Sequence, residues 1–161
     1  MPVFISHSSA DDLAARHIQL CLASNEIKCY LDDLDDSLRS VDDIATAIEK
    51  NLERCSHLLA VVSAVTRLSW WVPFEIGVGT AKNAKIATYQ LQNVDLPQYL
   101  TKWPVLSTED HLSLYAQFCR KDEDMRLPIE KDRRAGAPTI RIGIRTADDF
   151  HRDLKDALGQ G

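Results

Sequence analysis

Leu58-Leu59-Ala60-Val61-Val62 is an unbroken apolar run. A strand that is apolar at every residue has both of its faces covered, as in a parallel sheet flanked by helices. Upstream of this run, Pro2 to Ser6 reads as a short strand. Ser8-Ser9-Ala10-Asp11 has capping-box spacing and opens a helix with apolar positions at Leu13, Ile18, Leu20, Cys21 and Leu22. Ile27 to Leu31 is a second strand, Asp32 to Asp43 an acidic loop, and Ile44 to Arg54 a helix with Ile44, Ile48 and Leu52 on one face. Downstream, a helix runs from Ser69 or Trp70 to Lys82, with Pro73 tolerated in its first turn. Lys85 to Leu91 and Trp103 to Leu106 are strands, and Thr108 caps a helix to Arg120. Lys82 and Lys85 read as charges at a helix end. Five β units separated by helices predict a doubly wound α/β fold with a parallel five-stranded sheet. In a flavodoxin-like strand order the ligand crevice lies at the carboxyl ends of the first and third strands.

From Lys121 to Pro138 the chain turns polar and reads as a linker. Thr139 to Arg145 alternates through Ile140, Ile142 and Ile144 like an extra strand, and Thr146 caps a last helix to Leu158. The expected organisation is one domain over residues 1–120, with an extension over 121–161 packed on it.

With 161 residues, 45% of them hydrophobic, the chain can fill a full core. A net charge of -5 and a pI near 5.5 exclude a general nucleic-acid binder and a polybasic membrane anchor. Val3-Phe4-Ile5 is too short an apolar run for a signal peptide, and no stretch reaches the length of a membrane span. Cys21, Cys29, Cys55 and Cys119 form no C-x-x-C pair, so neither a zinc site nor a redox motif is expected, and most read as small core residues. A cytoplasmic protein is the expectation.

Ser69-Trp70-Trp71-Val72-Pro73-Phe74-Glu75-Ile76-Gly77 sets one acidic residue in an apolar, aromatic segment. On a helix, Trp71 and Glu75 stand at i and i+4 and share a face. A carboxylate in such a place is costly to bury. Either it reaches solvent or caps a neighbour, or it performs chemistry. Topology alone brings it near the crevice, beside Ser6, His7, Ser8 and the segment from Ser63.

Val3-Phe4-Ile5-Ser6-His7-Ser8 with Asp11, Cys29-Tyr30-Leu31-Asp32, Leu59 to Ser63, and Trp71-Val72-Pro73-Phe74-Glu75 stand in the order of the sequence boxes of Toll/interleukin-1 receptor (TIR) domains. The chain resembles that family over about residues 2–120, and the last segment is similar to the W-x-x-x-E segment of its NAD-cleaving members. Many such enzymes carry a Cys where this chain has Val72, and the loop opened by Asp32 is unusually acidic. The resemblance implies hydrolysis of the nicotinamide–ribose bond of NAD, or cyclisation to an ADP-ribose isomer, as a signal in bacterial anti-phage immunity. It implies Glu75 as the catalytic carboxylate and Phe4, Ser6, His7, Ser8, Asp32, Ser63, Ser69 and Trp71 as substrate contacts. NAD would be the substrate, with no separate cofactor and no metal. Self-association and a separate effector protein responding to the product are implied partners, with neither nucleic acid nor membrane involved.

Other readings stand beside these. His7 either lines the pocket or sits in solvent. Ser6 and Ser8 could meet phosphate at a helix N-terminus, or Ser8 simply caps the helix, and Asp11 and Asp12 would repel a pyrophosphate there. Asp32, Asp33, Asp35 and Asp36 lack the glycine and terminal Glu of a calcium loop. A non-catalytic TIR scaffold is a second function class. A nucleoside deoxyribosyltransferase-like enzyme is a third, since Glu75-Ile76-Gly77 with Ala81 is similar to that family's pattern. A phosphoacceptor receiver domain fails because the third strand ends in Ser63 rather than an aspartate.

Overall fold

The central strand β3 (His57–Val62) is buried at every residue, as its apolar run predicts. A computed structural model describes residues 2–31, 50, 52–66, 71–92, 94–124 and 145–161. Around β3 lie β1 (Val3–Ser6), β2 (Cys29–Leu31), β4 (Lys85–Gln90) and β5 (Val105–Leu106). All pairings are parallel and the order is β2-β1-β3-β4-β5, the doubly wound arrangement expected. The helices with described bounds are α1 (Asp12–Ser24), α2 (Trp71–Ala81), α3 (Glu109–Asp124) and α4 (Ala147–Ala157). None among the described residues is long and apolar enough to cross a membrane.

Strand alternation divides the core in two. Val3, Ile5, Leu59, Val61, Ala87 and Leu106 point to the side of α1, α3 and α4. Phe4, Leu58, Ala60, Val62 and Ile86 point to the side of α2. In α1 the buried stripe is Ala15, Ile18 and Leu22. Leu13 and Leu20, read as apolar positions of this helix, are 85% and 69% exposed. They stand seven residues apart, two turns along the face opposite the stripe. Nor does Ser8 cap this helix: a 3-10 turn over Ser9–Asp11 leads into it, and the Ser8 side chain makes no capping bond.

Lys85 is no helix-end charge. It begins β4, is buried, and donates to Asp122 Oδ2 at 2.6 Å. The same oxygen lies 3.1 Å from His57 Nε2, and the Arg145 guanidinium lies 3.6 Å from Asp122 Oδ1. Burial alone would raise the Asp122 carboxyl, but hydrogen bonds from His57 and Lys85 outweigh it and hold the group below its ordinary value. This cluster carries α3 beyond Arg120 to Asp124, so the polar stretch expected as linker begins as helix. Thr108 caps α3 as predicted, its hydroxyl accepting from the His111 amide at 3.2 Å.

The last helix begins with the capping box that Thr146 predicts, formed with Asp149. Its Phe150 and Leu154 are fully buried in the core shared by α1 and α3. Among the described residues β5 pairs with Thr88 and Tyr89 of β4, so the amino-terminal part of that edge of β4 takes other partners. The Ile86 amide donates to His151 Nε2 at 2.8 Å, and the Gln160 side chain exchanges two hydrogen bonds with the Val105 backbone. The predicted strand over 139–144, the acidic loop and most of the helix expected over 44–54 lie outside the described residues.

Gly79 sets how closely α2 approaches the sheet. A Cβ there would stand 2.9 Å from Leu58 Cδ2 and 3.7 Å from Ile86 Cδ1. Gly79→Val should therefore cost about 1–3 kcal/mol by overpacking, read as a lower urea midpoint. No loss would mean that the helix has room to move away.

Burial pushes His151 down to about 4. Its bond from the Ile86 amide requires an unprotonated Nε2. Between the ordinary value of 6.5 and about 4, the unfolded chain binds a proton here that the folded chain refuses. Stability from this group is complete above that window and falls as pH drops through it. Burial lowers His57 as well, against the opposing pull of Asp122, which adds to the same trend. Urea midpoints should decline on acidification from neutrality, and His151→Gln should make that decline shallower. An unchanged slope in the variant would show that His151 does not titrate in the folded chain as described.

Candidate functional site

In α2 the buried positions are Val72, Glu75, Ile76 and Gly79, whereas Pro73, Phe74, Gly77 and Thr80 face outward. The spacing of three and four is that of a helix lying on a core, and Glu75 occupies the middle of the stripe with 0% exposure. The helix joins the end of β3 to the start of the parallel β4, so it runs back against the strands.

That direction fixes what lies beneath Glu75. Gly79 sits over Leu58 and Ile86, which are paired in register. Four residues back along a helix is about 6 Å, and two residues forward along a strand is about the same. Glu75 therefore lies over the next row of that face, which is Ser6, Ala60 and Thr88, in register on β1, β3 and β4. The small side chain of Ala60 leaves space at the centre of the row. Ser6 and Thr88 flank it, fully buried, and among the described residues neither Ser6 Oγ nor Thr88 Oγ1 has a hydrogen-bond partner. An unpaired buried hydroxyl costs about 1–3 kcal/mol, and such groups in a folded protein call for an explanation.

His7 follows β1 directly and is 5% exposed. Its Nε2 lies 3.4 Å from Asp12 Oδ1, while Nδ1 is buried without a hydrogen-bond partner. The ring is thus held within the protein at the strand end and is not a solvated loop residue.

Ser8 and Ser63 are engaged elsewhere. Asp11 Oδ2 accepts from Ser63 Oγ at 2.8 Å, Thr66 Oγ1 at 2.7 Å and Ser8 Oγ at 3.4 Å. Ser63 Oγ in turn accepts from the Val65 and Thr66 amides at 3.2 and 3.3 Å. This cluster ties the turn after β1 to the turn after β3, across the crevice that the strand order predicts. Asp11, which as a free anion would repel a phosphate, is occupied by three hydroxyl donors. Phe4 stands one row below Ser6, fully buried among Leu58, Ala60 and Ile76, and belongs to the core beneath the site. Trp71 is the first residue of α2, with its side chain outside the described residues, as are Asp32 and Ser69.

The sequence reading missed Thr88 and Thr66. Thr88 was detectable: it is the one aliphatic hydroxyl in Lys85-Ile86-Ala87-Thr88-Tyr89, and its parity with Ile86 puts it on the α2 face. A cleft of about 640 Å³ lies at the other end of the sheet, lined by Cys55, Ser56, Lys82, Lys85, Arg145 and Thr146. It adjoins the amino ends of β3 and β4, where doubly wound folds do not bind their ligands.

The chain was compared with known proteins. No curated protein matches it. The family model described as TIR domain matches residues 3–126, which spans all five strands and α1 to α3. With that match and the parallel sheet in the order β2-β1-β3-β4-β5, the chain belongs to the TIR domain family.

Proposed function

We propose that this TIR domain cleaves the nicotinamide–ribose bond of NAD, releasing nicotinamide and ADP-ribose or a cyclic isomer, with Glu75 as the catalytic carboxylate. The observation that carries the reading is the full burial of Glu75 over a row whose two hydroxyls, on Ser6 and Thr88, have no partner. A scaffold that only binds other proteins has no use for such a group, since taking a carboxylate out of water costs free energy that its partners must offset.

The chemistry suits a single acid. Nicotinamide in NAD is a pyridinium and leaves as a neutral amine, so no general acid is needed. Positive charge develops on the ribose ring as the bond breaks. An ionised carboxylate in a site shielded from water stabilises that charge far more than it would in solution. Ser6 and Thr88 would hold the ribose hydroxyls, and His7 Nδ1 would take a further polar group at the strand end. Water attacking the cation gives the linear product, and an internal nucleophile gives a ring.

Glu75→Gln and Glu75→Ala should lower nicotinamide release by roughly 100-fold or more while leaving the circular dichroism spectrum intact. Chromatography with mass detection measures this, and equal turnover in the variant would end the proposal. Thr88→Val separates function from packing. It removes an unpaired hydroxyl at nearly constant shape, so stability should hold or rise while turnover falls about 10-fold. A Thr88→Val protein that is less stable and equally active would make the hydroxyl structural.

A carboxylate with no exposure meets a substrate only when its surroundings rearrange. Self-association would supply such a step. Turnover per chain should then rise with protein concentration, and a flat dependence would assign the rearrangement to the single chain.

A further inference from the structure

We propose that His17, Cys21 and Glu109 form a binding site for a zinc-class divalent metal ion, joining α1 to α3. His17 and Cys21 are four residues apart on α1 and share a face, and Glu109 is the first residue of α3. His17 Nε2 lies 2.9 Å from Glu109 Oε1 and 3.6 Å from Cys21 Sγ. One ligand atom from each residue falls within 4.8 Å of the other two.

These separations fit the ion. Zinc bonds of about 2.0–2.3 Å in a tetrahedron place neighbouring ligand atoms about 3.3–3.6 Å apart. The imidazole–thiol distance already has that value. The imidazole–carboxylate pair needs to open by a few tenths of an ångström, which exposed side chains allow. The helices that carry the ligands do not need to move, because Ile18 and Leu22 of α1 and Leu112 and Tyr115 of α3 are buried in one core. Ligands mounted on packed helices are preorganised.

The donor set selects the metal class. A thiolate and an imidazole favour zinc over magnesium or calcium, which take oxygen ligands. Thiolate, carboxylate and neutral imidazole together neutralise a divalent charge. Three protein ligands leave a fourth position for water or a small anionic ligand, the pattern of an open site. Without a metal, burial and the nearby Glu109 charge raise the Cys21 thiol. Binding therefore displaces the thiol proton to solvent as the sulfur–metal bond forms. The site lies on the α1 and α3 side of the sheet, away from Glu75, so it stands independently of NAD cleavage.

The full chain, stripped with a chelator, would be titrated with cobalt(II) followed by absorbance and with zinc(II) followed by calorimetry. The expected result is one ion per chain, tetrahedral cobalt absorption with a thiolate charge-transfer band, proton release, and displacement of cobalt by zinc. Cys21→Ser should abolish the charge-transfer band, and His17→Ala and Glu109→Gln should weaken binding beyond the roughly 10-fold cost of losing an outer-shell partner. Cys29→Ser, at a thiol that burial pushes up to about 12, should bind as the parent does. All four variants should keep the parent's circular dichroism. Absence of stoichiometric binding, or binding indifferent to Cys21, would overturn the site and leave His17 and Glu109 as an ordinary surface pair.

Discussion

Burial of β3 on both faces is the constraint from which the remainder follows. A strand with no solvent on either side forces helices onto both layers, and it allows no polar group near it to rely on water. The two ends of the sheet meet this demand differently. At the amino ends of β3 and β4, His57, Lys85, Asp122 and Arg145 form a cluster in which donors face an acceptor. At the carboxyl ends, Ser6 Oγ, His7 Nδ1 and Thr88 Oγ1 lack partners. Among the described residues, Asp122 Oδ1 at the first end has only Arg145 at 3.6 Å and no hydrogen bond, whereas at the second three buried polar atoms on adjacent strand ends go unpaired.

That contrast argues against treating the cleft at the amino ends as the site. The cleft beside Lys85 and Arg145 is bordered by charges already committed to Asp122 and Asp153. A ligand that drew on Lys85 or Arg145 would have to compete with those pairs, and breaking a buried one costs several kcal/mol when a partner is left alone. At the carboxyl ends a ligand would satisfy groups that now cost stability. Binding energy is available where hydrogen-bonding capacity is unspent.

Much of the fold was legible because it is written in period and punctuation. The apolar run at β3, the alternation of strand and helix, and the caps at Thr108 and Thr146 are local signals, and each appears in the structure. What failed was whatever depends on a distant partner. Lys85 reads as a surface charge until Asp122, 37 residues later, is seen to receive it. Leu13 and Leu20 count among the apolar positions of the helix, yet they lie off the buried stripe of Ala15, Ile18 and Leu22. Ser8 and Asp11 have the spacing of a cap, but Asp11 serves Ser63 and Thr66 across the sheet, a use that no local pattern announces. The sequence singled out Glu75 by its apolar, aromatic surroundings, and the structure buries it; the parity of Thr88 with Ile86 was there to be read, but its alignment with Ser6 and Ala60 needed the strand register.

The matched family segment ends at residue 126, but the structural logic does not. β5 is two residues long and leaves the Ile86 amide without a strand to pair with. His151 accepts that hydrogen bond, and Gln160 pairs with Val105 as an added strand would. Phe150 packs its ring 5.1 Å from His57, beside the Asp122 cluster, and Arg145 reaches that cluster from just before α4. A sheet edge left open invites pairing with other chains. The segment from Arg145 onward thus covers the edge of the strand that bears Thr88, while pairing with β3 sets the register that aligns Thr88 with Ser6 beneath Glu75.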